Sequence, residues 1–392
     1  MKQDTLDTIL VMFCMLTPVS PGIFAKKLVI ISTALLILRI LGSRNIFYVL
    51  KKKLLIILLF IPGVILAIFN SPDNLIRFVP ILLMILGFPF YDFKVRARPI
   101  KILSFYIIIY FIVTQVLLAL GNSSLLNFRE VWYPAEYGYV WNYGFVDSIV
   151  SSLGQFRAGG LYYNPNVLAS VIVLYYFIFS ASSQYTEQSN INFSKKKINT
   201  RKIINIFMLV LVSFSLFFTG SRTAMMALIA YVAVQNFDAA LFKKAQIKKN
   251  TLWAGLFVLI FLFLTFDRIL EGVSTGSANL KFEILMRHLS ESNFLELLFG
   301  GTYNIQFDND YGNWIGACGF LGLLAWFITL RMMYRIIPLT KPLIVAILLT
   351  AVGNTLLYGL LTGSIIVVVV LIISSYWWQT QEEEKKRNPF DL

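Results

Sequence analysis

The chain has 392 residues, of which 58% are hydrophobic and only 14% are charged, and its mean hydropathy is +0.73. This composition excludes an ordinary soluble globular protein and predicts an integral membrane protein. Both cysteines, Cys14 and Cys318, fall in apolar segments, so neither a disulfide framework nor a cysteine-based metal site is expected.

A transmembrane helix needs about 20 mostly apolar residues. In chain order, such segments are predicted near 6–23, 28–43, 54–69, 75–91, 102–120, 165–183, 203–219, 222–237, 252–266, 311–330, 342–358 and 360–378. Residues 1–392 are therefore predicted to form a single all-α polytopic membrane domain of about 12 helices.

The positions of the 34 lysine and arginine residues predict the orientation of these spans. With the N-terminus in the cytoplasm, most of the basic residues fall in the cytoplasmic connections, as the positive-inside rule requires. Both termini are then cytoplasmic, and the net charge of +14 reflects topology and does not indicate nucleic-acid binding. Since no small-residue cleavage site follows the first apolar segment, that segment is predicted to remain as an anchor.

Two long loops, 121–164 and 267–310, fall on the outer side in this topology, and function is expected there. The first loop is rich in aromatic residues, which either form a belt at headgroup depth or stack on sugar rings. The candidates for glycan contact are Trp132, Tyr139, Trp141, Tyr162 and Tyr163.

The first loop ends in QFRAGGLYYNPNVLAS, where Arg157 precedes the pair Gly159 and Gly160. Glycines allow the backbone to turn tightly. Pro165 suits the first turn of the next helix. This stretch therefore places a cation beside a backbone turn at the membrane surface.

The hairpin FFTGSRTAMM joins two apolar segments on the outer side. Gly220 and Ser221 are predicted to form the turn and Arg222 to lie at a helix N-terminus. A cation there is disfavoured unless an anion joins it, and free N–H groups at a helix start bind phosphate. Snorkelling of Arg222 toward lipid headgroups is the alternative interpretation.

The second loop contains NLKFEILMRHLSE, in which Glu283, Arg287 and Glu291 are spaced four apart. This spacing predicts a helix with an intrahelical ion pair as the simplest role for Arg287. His288 is the only histidine, so no histidine-based metal site is expected.

The stretch LFGGTYNIQFDNDYGNWIGACGFLGLL follows and carries Asp308 and Asp310 just before the next span. One of these carboxylates could cap a helix. The other would then be available for chemistry.

The ordered set RAGGLYYNPNVLAS, TGSRTAMM, a helix with Arg287, LFGG and DNDYGNWIGACGFLGLL resembles the bacterial O-antigen polymerase and O-antigen ligase superfamily. The resemblance implies a GT-C-like membrane glycosyltransferase of the inner membrane with a periplasmic active site. It implies as substrates an undecaprenyl-pyrophosphate-linked donor and a lipid-linked acceptor, and as a further partner a chain-length regulator protein. It implies no cofactor or metal.

By this resemblance, Arg157, Arg222 and Arg287 would bind the pyrophosphate, since arginine meets phosphate oxygens bidentately and keeps its proton. Asp308, and after it Asp310, would be the catalytic base for the acceptor hydroxyl. Ligase members usually carry a histidine where this chain has Asp308, which favours a polymerase.

Three alternatives stay open. A ligase would share the donor chemistry and transfer glycan to lipid A core or a protein. A lipid-linked oligosaccharide flippase or other transporter would place ionisable residues inside the membrane, where only Arg39 is predicted. A non-catalytic scaffold would not depend on the outer arginines.

Overall fold

The computed structural model describes most of the predicted apolar segments and parts of both outer loops. The described residues are 3–20, 22–43, 46–70, 82–85, 87–90, 92–132, 160–162, 165–188, 195–242, 283, 286–287, 289–300, 310–353 and 360–387. The predicted span 252–266 lies outside them.

Regular structure in these residues is helical, and none of them lies in a strand. The helices are α1 Gln3–Leu16, α2 Gly22–Leu41, α3 Ile46–Lys52, α4 Leu54–Asn70, α5 Ala97–Ala119, α6 Ser123–Trp132, α7 Pro165–Gln188, α8 Lys195–Thr219, α9 Arg222–Phe242, α10 Phe294–Phe299, α11 Asp310–Ile336, α12 Lys341–Gly353 and α13 Leu360–Arg387. Single 3-10 turns occur at Thr17–Val19, Gly160–Tyr162 and Pro338–Thr340.

Among the residues that the structure describes, four helical segments are long and apolar enough to cross a membrane: Ala97–Ala119, Pro165–Thr186, Cys318–Ile336 and Gly363–Glu382. The bent pair Lys27–Leu41 and Ile46–Lys52 makes a fifth if it is counted as one span. The protein is thus an all-α membrane protein, as its composition predicts. The count of about 12 spans stays a prediction.

Helices extend beyond the predicted apolar segments. The first outer loop begins with the ten-residue helix α6, and the described parts of the polar stretch 182–202 belong to α7 and α8. Ser182 in this stretch is buried, with its hydroxyl 3.0 Å from the hydroxyl of Tyr376. Tertiary packing therefore extends helices into sequence whose polarity suggested solvent.

The described chain divides into two compact units. Unit 1 contains Met1–Val49, Gly87–Ser221 and Ser364–Leu392. Within it α7 packs against α5 and α8, and most of the apolar side chains of α7 and of the first half of α13 are buried.

Unit 1 also contains a buried ion pair. The Asp7 carboxylate accepts hydrogen bonds from Nε and Nη2 of Arg39 at 2.7 and 3.0 Å and from the backbone N–H of Lys94 at 3.1 Å. The Asp7 side chain is only 1% exposed, and Arg39 also donates to the carbonyl of Asp92 at 2.9 Å. The sequence predicts Arg39 as an isolated ionisable group, and the structure gives it a carboxylate partner from α1.

Unit 2 contains Leu50–Leu86 and Arg222–Gly363. Here α9 packs against α12, and α4 packs against α11. The backbones of α4 and α11 approach so closely that a Cβ at Gly63 would lie 2.6 Å from the Cα of Cys318. Small residues permit such contact between helices in membranes.

The predicted span 311–330 is wrong in its boundaries, because α11 is two helices joined at a break. Gly319 has φ 65° and ψ −173°, which is not helical, and the helix long enough to span is Cys318–Ile336. Residues 310–318, up to the break, form a separate helical segment at the start of α11.

Candidate functional site

The structure describes only part of the predicted site. Arg157, Tyr139, Trp141, Tyr163 and Asp308 lie outside the described residues. Trp132 is the last residue of α6, Tyr162 ends the turn Gly160–Tyr162, and Asp310 is the first residue of α11. Arg222 and Arg287 are described with their side chains.

In unit 1, the glycine turn after Arg157 packs against the end of α5. Gly160 has φ 55°, and a Cβ there would lie 3.0 Å from Leu168 Cδ2 and 3.7 Å from the Cα of Gln115. Leu161 and Leu118 are buried together, and α6 packs Leu125, Leu126 and Phe128 against them. Glycine is therefore needed at this position, as the sequence predicts, for both conformation and space.

A buried polar link lies beside this turn. The hydroxyl of Ser215 donates to Oε1 of Gln115 at 2.5 Å, and Nε2 of Gln115 donates to the carbonyl of Ser215 at 3.3 Å. The link holds the last turns of α8 against α5. Sequence reasoning missed it, although a glutamine in an otherwise apolar span is itself a signal.

In the sequence, Arg129 serves only as evidence for the topology. In the structure it is a buried charge in this part of unit 1. Arg129 lies on α6 and is 2% exposed. A guanidinium keeps its charge even when buried, so burial in an apolar setting is costly without anionic or dipolar partners. The helix that packs against the Gly160 turn therefore carries a second cation, in addition to the predicted Arg157.

The hairpin has the predicted local structure. Helix α8 ends at Thr219, and Gly220 has φ 61°, with its N–H bonded to the carbonyls of Leu216 and Phe217 at 3.1 Å. Helix α9 begins at Arg222, whose side chain is half-buried. The positive end of a helix dipole thus coincides with a cation.

Ser221, between the turn and α9, has a buried side chain. Its N–H donates to Oγ1 of Thr219 at 3.3 Å. Its own hydroxyl oxygen is buried and makes no hydrogen bond within the described residues. A buried hydroxyl in this state retains its capacity to bind a polar ligand.

Arg287 forms the ion pair within one helix that its four-residue spacing from Glu291 predicts. Nε of Arg287 lies 3.1 Å from Oε1 of Glu291, one helical turn later, and the two side chains are 76% and 64% exposed. Such an exposed pair contributes roughly 0.3 to 0.5 kcal/mol. The pair is weak enough for Arg287 to exchange Glu291 for another anion.

The structure brings two parts of the motif set together in unit 2. The short helix α10 is capped by Asn293 and Glu296 and ends at Gly300, whose φ is 83°. A Cβ at Gly319 would lie 2.3 Å from the carbonyl oxygen of Leu298 and 2.6 Å from the backbone nitrogen of Gly300. The LFGG stretch therefore packs its backbone directly on the break in α11.

The break folds residues 310–318 back along the rest of α11. Trp314 and Trp326 would be about 18 Å apart along a straight helix, yet their rings stack at 5.5 Å with an interplanar angle of 19°. The fold-back also needs glycine at position 322, since a Cβ at Gly322 would lie 2.2 Å from the Cβ of Cys318. Asp310 therefore begins a helical segment that folds back on the rest of α11, here called the folded-back segment, which the apolar pattern alone did not show.

Comparison of the chain with protein families, with curated proteins and with solved structures found no match.

Proposed function

We propose that this protein is an O-antigen polymerase of the bacterial inner membrane. It transfers the glycan of an undecaprenyl-pyrophosphate-linked donor onto a lipid-linked repeat-unit acceptor at the periplasmic face. The sequence motifs suggest this activity, and their arrangement in the helical fold supports it.

The observation that carries the proposal is the packing of Leu298 and Gly300 on Gly319. Two elements of the motif set that are separate in sequence form one backbone contact. Through this contact the second outer loop is held at the Gly319 break, where the segment that begins at Asp310 ends. A loop that binds a glycan next to its base needs such fixed support.

The reaction requires an acceptor hydroxyl, a base and a stabilised leaving group. The hydroxyl oxygen bonds to the anomeric carbon of the donor's reducing-end sugar as that carbon's bond to the phosphate oxygen breaks. The electron pair leaves with undecaprenyl pyrophosphate, and the proton passes to the carboxylate of Asp308 or Asp310. Arg157, Arg222 and Arg287 stabilise the charge that develops on the pyrophosphate.

The hairpin supports the pyrophosphate role of Arg222. A helix of 21 residues begins at this arginine, and its first N–H groups have no partner within the helix. Cation and N–H donors together favour a phosphate ligand.

The ligase alternative shares every one of these donor contacts. It differs only in the acceptor, which would be lipid A core or a protein. Asp308, in place of the histidine usual in ligases, favours the polymerase.

One observation favours the transporter alternative, namely the buried pair of Asp7 and Arg39. Ionisable groups within membrane spans often mark ion or proton pathways. Here each partner makes further bonds, Asp7 to the N–H of Lys94 and Arg39 to the carbonyl of Asp92. A pair so fully bonded between α1, α2 and residues 92–94 is better suited to holding helices together than to exchanging a proton.

The test is complementation of a strain that lacks the polymerase, with surface glycan read on a gel. The variants are Arg157→Ala, Arg222→Ala, Arg287→Ala and Asp308→Asn, each checked for membrane expression. We expect the long-chain ladder to disappear while lipid A core with one repeat unit remains. Arg335→Ala is the matched control, because Arg335 is an exposed arginine in the last turn of α11 and is predicted to be cytoplasmic.

Each other outcome has a defined meaning. Loss of all glycan from lipid A core, with polymer accumulating on the lipid carrier, indicates a ligase. Unchanged ladders in all four variants would exclude the catalytic assignment. A change in lipid-carrier translocation in Asp7→Asn, with polymerisation intact in everted vesicles, would favour the transporter.

A further inference from the structure

The indole N–H of Trp314 is buried and has no acceptor in the part of the chain that the structure describes. Trp314 is 1% exposed. A buried tryptophan N–H ordinarily finds an acceptor. An unbonded donor in the interior of a protein therefore calls for an explanation, and a bound ligand is one.

The ring of Trp314 is held by aromatic neighbours. It stacks on Trp326, and its centroid lies 5.5 Å from that of Phe60 at an interplanar angle of 50°. These contacts fix the ring without using the N–H. The polar atom is thus positioned by apolar packing alone.

The position of Trp314 in the folded-back segment relates it to the predicted base in the sequence. Asp310 begins the segment, and Trp314 follows four residues later, one helical turn on. The donor therefore lies one turn after the residue that begins the segment.

We propose that the Trp314 N–H donates a hydrogen bond to a sugar oxygen of the glycan substrate. A sugar oxygen suits this donor better than a phosphate oxygen, because an indole N–H is neutral and phosphate is bound most strongly by charged donors such as arginine. Because Trp314 is 1% exposed in the resting protein, the contact forms when the bound glycan displaces part of the packing around the indole. This inference rests on the proposed function and names a substrate contact of the same site.

The experiment compares Trp314→Phe with Trp326→Phe in the purified full-length protein. Both changes replace an indole in the same stack by a smaller ring and leave similar space. Only the first removes the unbonded donor. We expect the thermal midpoint of the resting protein to fall less in Trp314→Phe than in Trp326→Phe, since an unsatisfied group is lost.

The loss of activity, by contrast, should be larger in Trp314→Phe than in Trp326→Phe. With lipid-linked repeat unit as substrate, kcat/KM of Trp314→Phe should fall by about 10-fold, the effect of one lost hydrogen bond. Trp326→Phe should stay within about 2-fold of wild type. Equal activity in the two variants, or a loss of activity in Trp314→Phe that accompanies the larger fall in thermal midpoint, would overturn the inference.

Binding separates this inference from the proposed function. We expect the lipid-linked repeat unit to raise the thermal midpoint of wild type but to raise that of Trp314→Phe much less, while bare undecaprenyl pyrophosphate acts equally on both. A weaker effect of the bare lipid on Trp314→Phe would identify a phosphate contact and refute the sugar assignment. If wild type shows this sugar-dependent binding but transfers no glycan, the polymerase proposal fails and the contact stands.

Discussion

Two buried polar groups in this protein differ in their hydrogen bonding. In unit 1 the Asp7 carboxylate receives three hydrogen bonds, two of them from Arg39. In unit 2 the Trp314 N–H is equally buried and receives no acceptor from the described residues. Full bonding is typical of a group that holds a fold together, whereas an unbonded buried donor calls for an explanation, of which a ligand is one.

The largest expected effect concerns the fold-back that buries Trp314. In Gly319→Ala the new Cβ would lie 2.3 Å from the Leu298 carbonyl oxygen, in a conformation with φ 65°. We expect little correctly folded protein in the membrane, as measured by monodisperse recovery in detergent.

Gly121→Ala is the matched control for this change. Its φ is 75°, but a Cβ there meets nothing within 4 Å. It should cost only about 1 to 2 kcal/mol of backbone strain. If the two variants behave alike, the close packing of Leu298 and Gly300 does not determine the fold of α11.

The second effect tests the structural role of the buried pair. Asp7→Asn leaves Arg39 without its carboxylate and should destabilise the resting protein by about 3 to 5 kcal/mol. The double variant Asp7→Asn with Arg39→Gln should recover a large part of this loss, because no uncompensated charge remains. Thermal unfolding of the single and double variants measures the coupling, and simple additivity would argue against a structural pair.

Lys53 is intermediate between Asp7 and Trp314, because its buried amine makes a hydrogen bond but has a pKa that burial shifts. Its effect on stability therefore depends on pH. Its side chain is 1% exposed and donates to the carbonyl of Ile85, and burial lowers the pKa of its amine from 10.5 to about 7. Between about pH 7 and 10.5 the unfolded chain binds a proton that the folded chain does not, so wild-type stability rises with pH in this window.

Lys53→Met removes this dependence. The stability of the variant should exceed that of wild type by most at or below pH 7. This difference in stability should shrink as the pH rises through 9. Thermal midpoints at about pH 6 and pH 9 measure the difference. If the difference in thermal midpoint between Lys53→Met and wild type does not change with pH, the amine of Lys53 is not desolvated.

The smallest effect comes from the exposed pair of Arg287 and Glu291. Glu291→Gln should change stability by no more than about 0.5 kcal/mol, against several for Asp7→Asn. If Arg287 binds pyrophosphate, this substitution should leave activity unchanged or raise it, because the arginine is released. Loss of the glycan ladder in Glu291→Gln would instead show that the ion pair itself is needed.

Local patterns sufficed for several features. Composition predicted a helical membrane protein, glycine spacing placed the turns at Gly160 and Gly220, and a four-residue spacing predicted the pair of Arg287 and Glu291. Each depends on residues adjacent in the chain or one helical turn apart. Such short-range preferences are present in the sequence itself.

Tertiary structure alone decided the features that join distant residues. The partner of Arg39 comes from another helix, the Gly319 break is filled by the backbone of Leu298 and Gly300, and Trp314 meets Trp326 only because α11 folds back. An apolar run has the same hydropathy whether it is straight or folded back. The backbone of Leu298 and Gly300, which packs on the Gly319 break, lies outside the run, so the sequence of the run did not show this contact.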